Sequence, residues 1–192
     1  MSAADRGKAG PAMRVGHGYD AHPFGDAADL GGRTLVLGGI QFVGERPLAG
    51  HSDADVVAHA VIDAMLSAAG LGDIGTHFPD SDERWRGADS IEMLAQVAAL
   101  LAEDGWQLAN ADCTVICDRP MIAPHRDQMQ ECLSGAAGGP VTVCGKRTEG
   151  LGGADGIVAH AVALLLASGE QRSTQVASGE QRSTQVVSAG DR

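Results

Sequence analysis

Two short segments combine carboxylates and imidazoles at spacings that can hold a metal ion. In Gly16-His17-Gly18-Tyr19-Asp20-Ala21-His22, residues i and i+2 of an extended chain point to the same side, so Asp20 and His22 can aim at one point. In His51-Ser52-Asp53-Ala54-Asp55-Val56-Val57-Ala58-His59, continuing to Asp63, helical spacing puts positions 55, 59 and 63 on one face and His51 just before the first turn. That face carries no Lys or Arg and uses short, ligand-type side chains. With Asp20 and His22, His59 completes a His₂–carboxylate set with an open fourth position, the arrangement of catalytic zinc. Asp63 is expected to accept the other ring N–H of His59. The bland alternatives are a capped turn for Asp20-Ala21-His22 and a solvated helix face for the second segment.

Two further segments suit substrate binding. Leu71–Asp82 is a twelve-residue loop with glycines and paired acids, a length at which unstructured loops are more often functional. Asp73 there suits ribose or polyol hydroxyls, and an ordinary turn-rich connection is the competing reading. Gly145-Lys146-Arg147-Thr148-Glu149-Gly150-Leu151-Gly152-Gly153 holds the only lysine between residues 13 and 167. Phosphate binding fits it, with Glu149 able to hold a hard cation between phosphate oxygens, and a polar turn is the even alternative. His77, His125 and His160 read as satisfied structural histidines, and the four cysteines, Cys113, Cys117, Cys132 and Cys144, as small core residues.

These segments need elements to position them. Met13–Tyr19 reads as a strand, and Thr34–Leu37 and Ile40–Val43 flank Gly38-Gly39, the two-residue signal of a tight hairpin. Asp53–Ala69 carries helical spacing with Ser52 or Asp53 as N-cap. Asp89 or Ser90 caps a second helix to about Glu103, stopped by Gly105. Gln107–Cys117 alternates as a strand, a helix runs from about Pro120 to Leu133, Val141–Val143 is a strand, and Ile157–Leu166 is expected to be a last apolar helix. The predicted class is α/β, an α+β sandwich in which helices cover a small mixed sheet, plus a β-hairpin.

Of the 192 residues, 44% are hydrophobic, enough for one domain with a real core, and the formal net charge is −11. That sign argues against nucleic acid and anionic membrane as partners. No apolar run approaches the roughly 20 residues of a membrane span, and Met1–Ala12 lacks the apolar stretch of a signal peptide, so a cytoplasmic protein is expected. Ala167–Val176 repeats exactly once as Ala177–Val186. Residues 1–12 and 168–192 are expected to be a disordered arm and tail, leaving a domain over 13–167 with nine Lys+Arg.

Together the segments resemble the 2-C-methyl-D-erythritol 2,4-cyclodiphosphate synthase family, the cyclases of non-mevalonate isoprenoid biosynthesis. The matching pieces are Arg14–Phe24, His51–Leu66, Leu71–Asp82, Arg119–His125 and Thr148–Gly152. The resemblance implies a homotrimer with active sites at subunit interfaces, acting on a CDP-linked methylerythritol 2-phosphate and expelling CMP. It implies zinc on Asp20, His22 and His59, a phosphate-orienting His51 with Ser52 beside it, and a methylerythritol loop formed by Asp73, Ile74, Gly75, Phe78, Pro79, Asp80, Ser81 and Asp82. It places Thr148 and Glu149 at the phosphate and magnesium (or manganese) end of the nucleotide site. Asp20 and His22 thereby face the substrate as well. The chain departs from the family at Met121, where a lysine is common, and at Arg147, which stands where a phosphate-polarising threonine is usual and is expected to act in its place. Gly152–Gly156 also replaces a longer stretch containing phenylalanine and arginine. Those departures leave a relative with altered nucleotide or polyol specificity, or a non-catalytic metal-binding scaffold, as alternatives.

Overall fold

The computed structural model describes residues 13–26, 28–150 and 155–168. The expected N-terminal arm and all but the first residue of the expected tail lie outside them, as does most of the Gly152–Gly156 departure.

The sheet is built from β1 (Met13–Pro23), β4 (Trp106–Ile116), β5 (Val141–Lys146) and β6 (Gly156–Ala167) in the order β1-β6-β4-β5. β6 pairs antiparallel with both β1 and β4, and β4 runs parallel to β5, so the sheet is mixed. The predicted helix over Ile157–Leu166 is therefore wrong: the segment is a central strand. A short continuous apolar run reads equally well as a buried helix or a buried strand, and what decided here was pairing with β1, some 140 positions earlier in the chain.

The helices pack on one face of the sheet. α1 (Val56–Ala69) is buried on nearly all sides, so the polar stripe of the sequence reading does not face solvent. Its N-cap is Asp55, whose carboxylate accepts from Val57 and Ala58 N–H, rather than Ser52 or Asp53. Ala54 sits at φ +61° and turns the chain just before the cap. α3 (Ser90–Glu103) is capped by Asp89 as expected. α4 (Arg126–Ala137) begins six residues later than Pro120, after a single 3₁₀ turn at Ala123–His125, and ends at left-handed Gly138.

Gly16 and Gly18 explain how β1 meets α1. A Cβ at Gly16 would lie 2.1 Å from the Ala64 carbonyl oxygen, and one at Gly18 2.0 Å from that of Ala60. Strand and helix backbones thus approach more closely than any side chain permits. The two-residue turn Gly38-Gly39 between β2 (Leu35–Leu37) and β3 (Ile40–Phe42) has positive φ at both positions, as a tight hairpin requires. Its two N–H groups donate to Asp55 at 2.8 and 2.7 Å, which docks the hairpin on the start of α1.

The other sheet face is apolar and open. Met13, Val15, Tyr19 and Val162 are 59%, 68%, 52% and 47% exposed. No helix among the described residues is long and apolar enough to cross a membrane. Cys113 and Cys117 are core residues whose burial pushes their thiols up to about 12 and about 11, whereas Cys144 is exposed and Cys132 half-buried, contrary to the reading of all four as core.

Candidate functional site

The structure brings Asp20, His22 and His59 together. Asp20 Oδ2 lies 3.0 Å from His22 Nε2 and 2.9 Å from His59 Nδ1, and one ligand atom from each residue falls within 4.8 Å of the others. β1 presents Asp20 and His22 on the same face, and the close approach of Gly18 to Ala60 carries the neighbouring His59 to that edge.

Hydrogen bonds set the tautomers. His22 Nδ1 donates to the Ala49 carbonyl at 2.7 Å, which leaves the Nε2 lone pair directed at Asp20. Ser90 Oγ donates to Asp53, so it accepts from His59 Nε2 at 2.9 Å, as does Ser52 Oγ at 3.0 Å. The His59 Nδ1 lone pair then faces Asp20. Each imidazole thus has one nitrogen held by a protein acceptor and the other free for an ion, the usual design of a metal-ligating histidine. The separations also suit an ion: ligand bonds of about 2.0–2.1 Å in a tetrahedral site put neighbouring donor atoms about 3.3 Å apart. Burial alone would raise the Asp20 carboxyl, but where the two facing nitrogens carry hydrogen in place of an ion, the hydrogen bonds and charge of His22 and His59 outweigh it and hold the group well below the usual carboxylate range. In Asp55 burial wins. Together with nearby Asp53 it raises the carboxyl against the pull of the Gly39, Gly38 and Ala58 N–H groups.

Asp63 does something other than expected. It accepts from the Ile74 N–H at 2.7 Å, tying α1 to the short helix α2 (Ile74–His77), and the partners of His59 are serines. From sequence, Ser90 offers itself only as a helix cap. Its role was illegible because the contact spans 31 positions and a serine at a helix start already has a local explanation.

Beside the triad lies a cavity of about 410 Å³ lined by His22, His51, Ser52, His59, Ile74, Gly75, Phe78, Pro79 and Asp80, together with Trp85 and Met93. The last two carried no sequence signal, since an isolated aromatic or methionine reads as core. Asp73, Ser81 and Asp82 do not line the cavity. Asp73 caps α2 by accepting from Thr76, and Asp82 pairs with Arg84. His51 Nε2 is buried without a partner among the described residues.

Arg147, Thr148 and Glu149 lie elsewhere. Asp118, at the end of β4, accepts from Thr148 N–H and Oγ1 at 3.2 and 2.6 Å, joining the loops after β4 and β5. Arg147 lines two cavities there, of about 140 and 520 Å³, both walled by Asp118, Pro120 and Met121. Glu149 has φ +52°, a conformation costly for a non-glycine residue and common at functional sites. The histidines read as structural have structural partners: His77 reaches the Leu71 carbonyl, and His125 packs edge-on against Phe42.

Comparison with known proteins decides what this arrangement belongs to. The sequence model of the YgbB family matches residues 13–166. The chain belongs to the YgbB family. Among YgbB-related proteins, the 2-C-methyl-D-erythritol 2,4-cyclodiphosphate synthase of Rubrobacter xylanophilus is 52% identical over 158 residues, 79% of this chain and 94% of that protein. The bifunctional enzyme IspD/IspF of Anaeromyxobacter dehalogenans is 50% identical over 160 residues, 80% of this chain and 40% of that protein, so the chain spans less than half of that relative. A solved structure of 2C-methyl-D-erythritol-2,4-cyclodiphosphate synthase in a CDP-bound form superposes with a TM-score of 0.70 at 38% identity, covering 79% of this chain and 99% of that one. The shared YgbB fold is the mixed sheet, helices and hairpin described above.

Proposed function

We propose that the chain is a metal-dependent cyclase that converts 4-CDP-2-C-methyl-D-erythritol 2-phosphate to 2-C-methyl-D-erythritol 2,4-cyclodiphosphate with release of CMP, in non-mevalonate isoprenoid precursor biosynthesis. The observation that carries this is the open Asp20/His22/His59 triad beside a cavity lined by the polyol loop, in a family whose relatives bear that name. Those relatives weigh against the scaffold and altered-specificity readings.

The reaction needs no protein nucleophile. An oxygen of the substrate's 2-phosphate attacks the β-phosphorus, one P–O bond forms, and the bond to the CMP phosphate breaks. The protein's task is to hold the attack geometry and stabilise charge on the transferring phosphoryl. The donor set fits zinc on Asp20, His22 and His59, and Glu149 with Thr148 suits magnesium or manganese at the diphosphate. When bound, such ions supply Lewis acidity at the phosphoryl oxygens. His51 offers its unpartnered Nε2 to a phosphate oxygen, with Ser52 holding His59 in place. Arg147 adds positive charge at the phosphate of the leaving CMP. Ile74, Gly75, Phe78, Pro79 and Asp80 wall the cavity that takes the methylerythritol, and Asp73 and Asp82 hold the loop itself through Thr76 and Arg84.

We further propose a cytoplasmic homotrimer with sites shared between copies. Two features support it. The open face of β1 and β6 leaves large apolar side chains unpartnered, and the triad cavity and the Arg147 cavities of one chain have no lining residue in common.

The test is CMP release from the CDP-linked substrate with added magnesium, alongside elemental analysis for zinc. Wild type releases CMP and carries zinc; His59→Ala loses both. Full turnover by a zinc-free His59→Ala variant would overturn the assignment.

A further inference from the structure

Asp53 does not line the triad cavity, and its link to the triad runs through Ser90. It sits in the turn before α1 and clasps the start of α3. Its N–H donates to the Ala88 carbonyl at 3.0 Å, and its Oδ2 accepts from Ser90 N–H at 3.1 Å. Its Oδ1 accepts from Asp55 N–H at 3.1 Å and from Ser90 Oγ. Ser90 Oγ lies in turn 2.9 Å from His59 Nε2 and 3.4 Å from Ser52 Oγ.

A hydroxyl carries one hydrogen and a carboxylate none. Asp53 can only accept, so the single Ser90 hydrogen goes to Asp53, and toward its other two neighbours Ser90 can only accept. Ser52 Oγ accepts from Ala54 N–H at 3.2 Å and has Ser90 Oγ as the acceptor for its own hydrogen. Nothing is left to donate to His59 Nε2, which must carry the imidazole hydrogen itself. A neutral imidazole has one such hydrogen, so Nδ1 keeps its lone pair. Both serines are buried, which keeps bulk water from reorienting them.

Without Asp53 the chain has a competing order. Ser90 donates to Nε2, and His59 moves its hydrogen to Nδ1 and donates to Asp20 Oδ2, 2.9 Å away. The triad then closes on itself, and an ion has to break that contact to enter.

We propose that Asp53 is a positioning residue: it fixes the direction of the Asp53–Ser90–His59 hydrogen-bond chain and so keeps His59 Nδ1 available to an ion. The proposal rests on the metal part of the function proposed above. The bonds of Asp53 to Ala88, Asp55 and the Ser90 N–H hold backbone alone, so its two tasks separate by experiment.

The experiment is zinc affinity by chelator competition on the untagged full-length chain, for wild type, Asp53→Ala, Ser90→Ala and the double variant. Outer partners of metal-ligating histidines are worth about 10–100-fold in affinity, so each single variant is expected to bind zinc about tenfold or more weakly. The double variant is expected to bind no more weakly than Ser90→Ala, because Asp53 acts through the hydroxyl. Losses that multiply in the double variant would assign Asp53 to the backbone clasp alone and overturn the proposal. Nitrogen-15 NMR of zinc-loaded wild type is expected to show the His59 hydrogen on Nε2 and the metal on Nδ1; the reverse assignment also overturns it. Should Asp53→Ala not fold, Ser90→Ala decides, since it retains every backbone bond of the clasp: zinc held as tightly as in wild type refutes the chain. Each of these results leaves the metal reading standing, whereas a wild type that binds no zinc brings down that reading and the proposal together.

Discussion

Asp55 shows how much one carboxylate can organise. It is fully buried, caps α1 through Val57 and Ala58, and holds the hairpin turn through Gly38 and Gly39. Removing it loses a cap worth about 1 kcal/mol and leaves two further N–H groups short of an acceptor at about 1–3 kcal/mol each. Asp55→Ala is therefore expected to lower stability by about 3–7 kcal/mol, read as a fall in the urea midpoint, with Asp55→Asn less affected because one oxygen remains. Equal stability of Asp55→Ala and wild type would show that the docking contributes nothing. The sequence placed Asp55 on the right helix but on a polar stripe. Its true partners are hairpin amides some 16 positions away, and no local pattern announces them. The candidate ligands themselves were legible, because i, i+2 and helical spacing are local properties that survive into any fold that forms those elements.

At the scale of elements, the β1–α1 contact sets the candidate metal site. Gly16 and Gly18 face the Ala60, Ala64 and Ala68 ridge of α1, and the residues flanking this contact, Asp20 and His59, are two of the three candidate ligands. Gly18→Ala inserts a Cβ where helix backbone already stands, so strand and helix must separate. Overpacking of this kind costs about 1–3 kcal/mol or more. We expect a lowered melting temperature together with loss of tightly bound zinc at temperatures where the variant is still folded. Retention of stoichiometric zinc in folded Gly18→Ala would show that the close approach does not position His59. The strands, the hairpin and three helices were readable from periodicity and turn residues. β6 was not, because both of its faces are apolar and alternation, the signal that separates strand from helix, disappears.

For the whole molecule, the same two-sided apolar character of β6 has a consequence. Ile157, Ala159, Ala161, Ala163 and Leu165 face the core, and Val162 on the opposite side shares an exposed patch with Met13, Val15 and Tyr19. A strand apolar on both faces is stable in water when both are covered. Val15→Glu places a charge in the middle of the proposed contact and is expected to convert trimers to monomers in sedimentation analysis, with CMP release falling at least tenfold. A wild-type chain that sediments as a monomer while turning over at full rate would contradict shared sites. The acidity of the chain has its explanation at this scale too. With nine Lys+Arg in residues 13–167, the proposed function assigns to divalent cations much of the positive charge that a diphosphate requires.

The sequence by itself determined the candidate ligand types, their spacing, the Gly38-Gly39 turn and the family resemblance, because each is carried by residues near one another in the chain. Only the tertiary structure decided that the last apolar segment is a central strand and that Ser90 and Ser52, rather than Asp63, hold His59. It alone showed that two glycines let α1 approach β1, and that the triad and the Arg147 loop occupy separate cavities. Each of these depends on pairing or packing between distant segments, where the free energy of a contact is set by the partner that arrives.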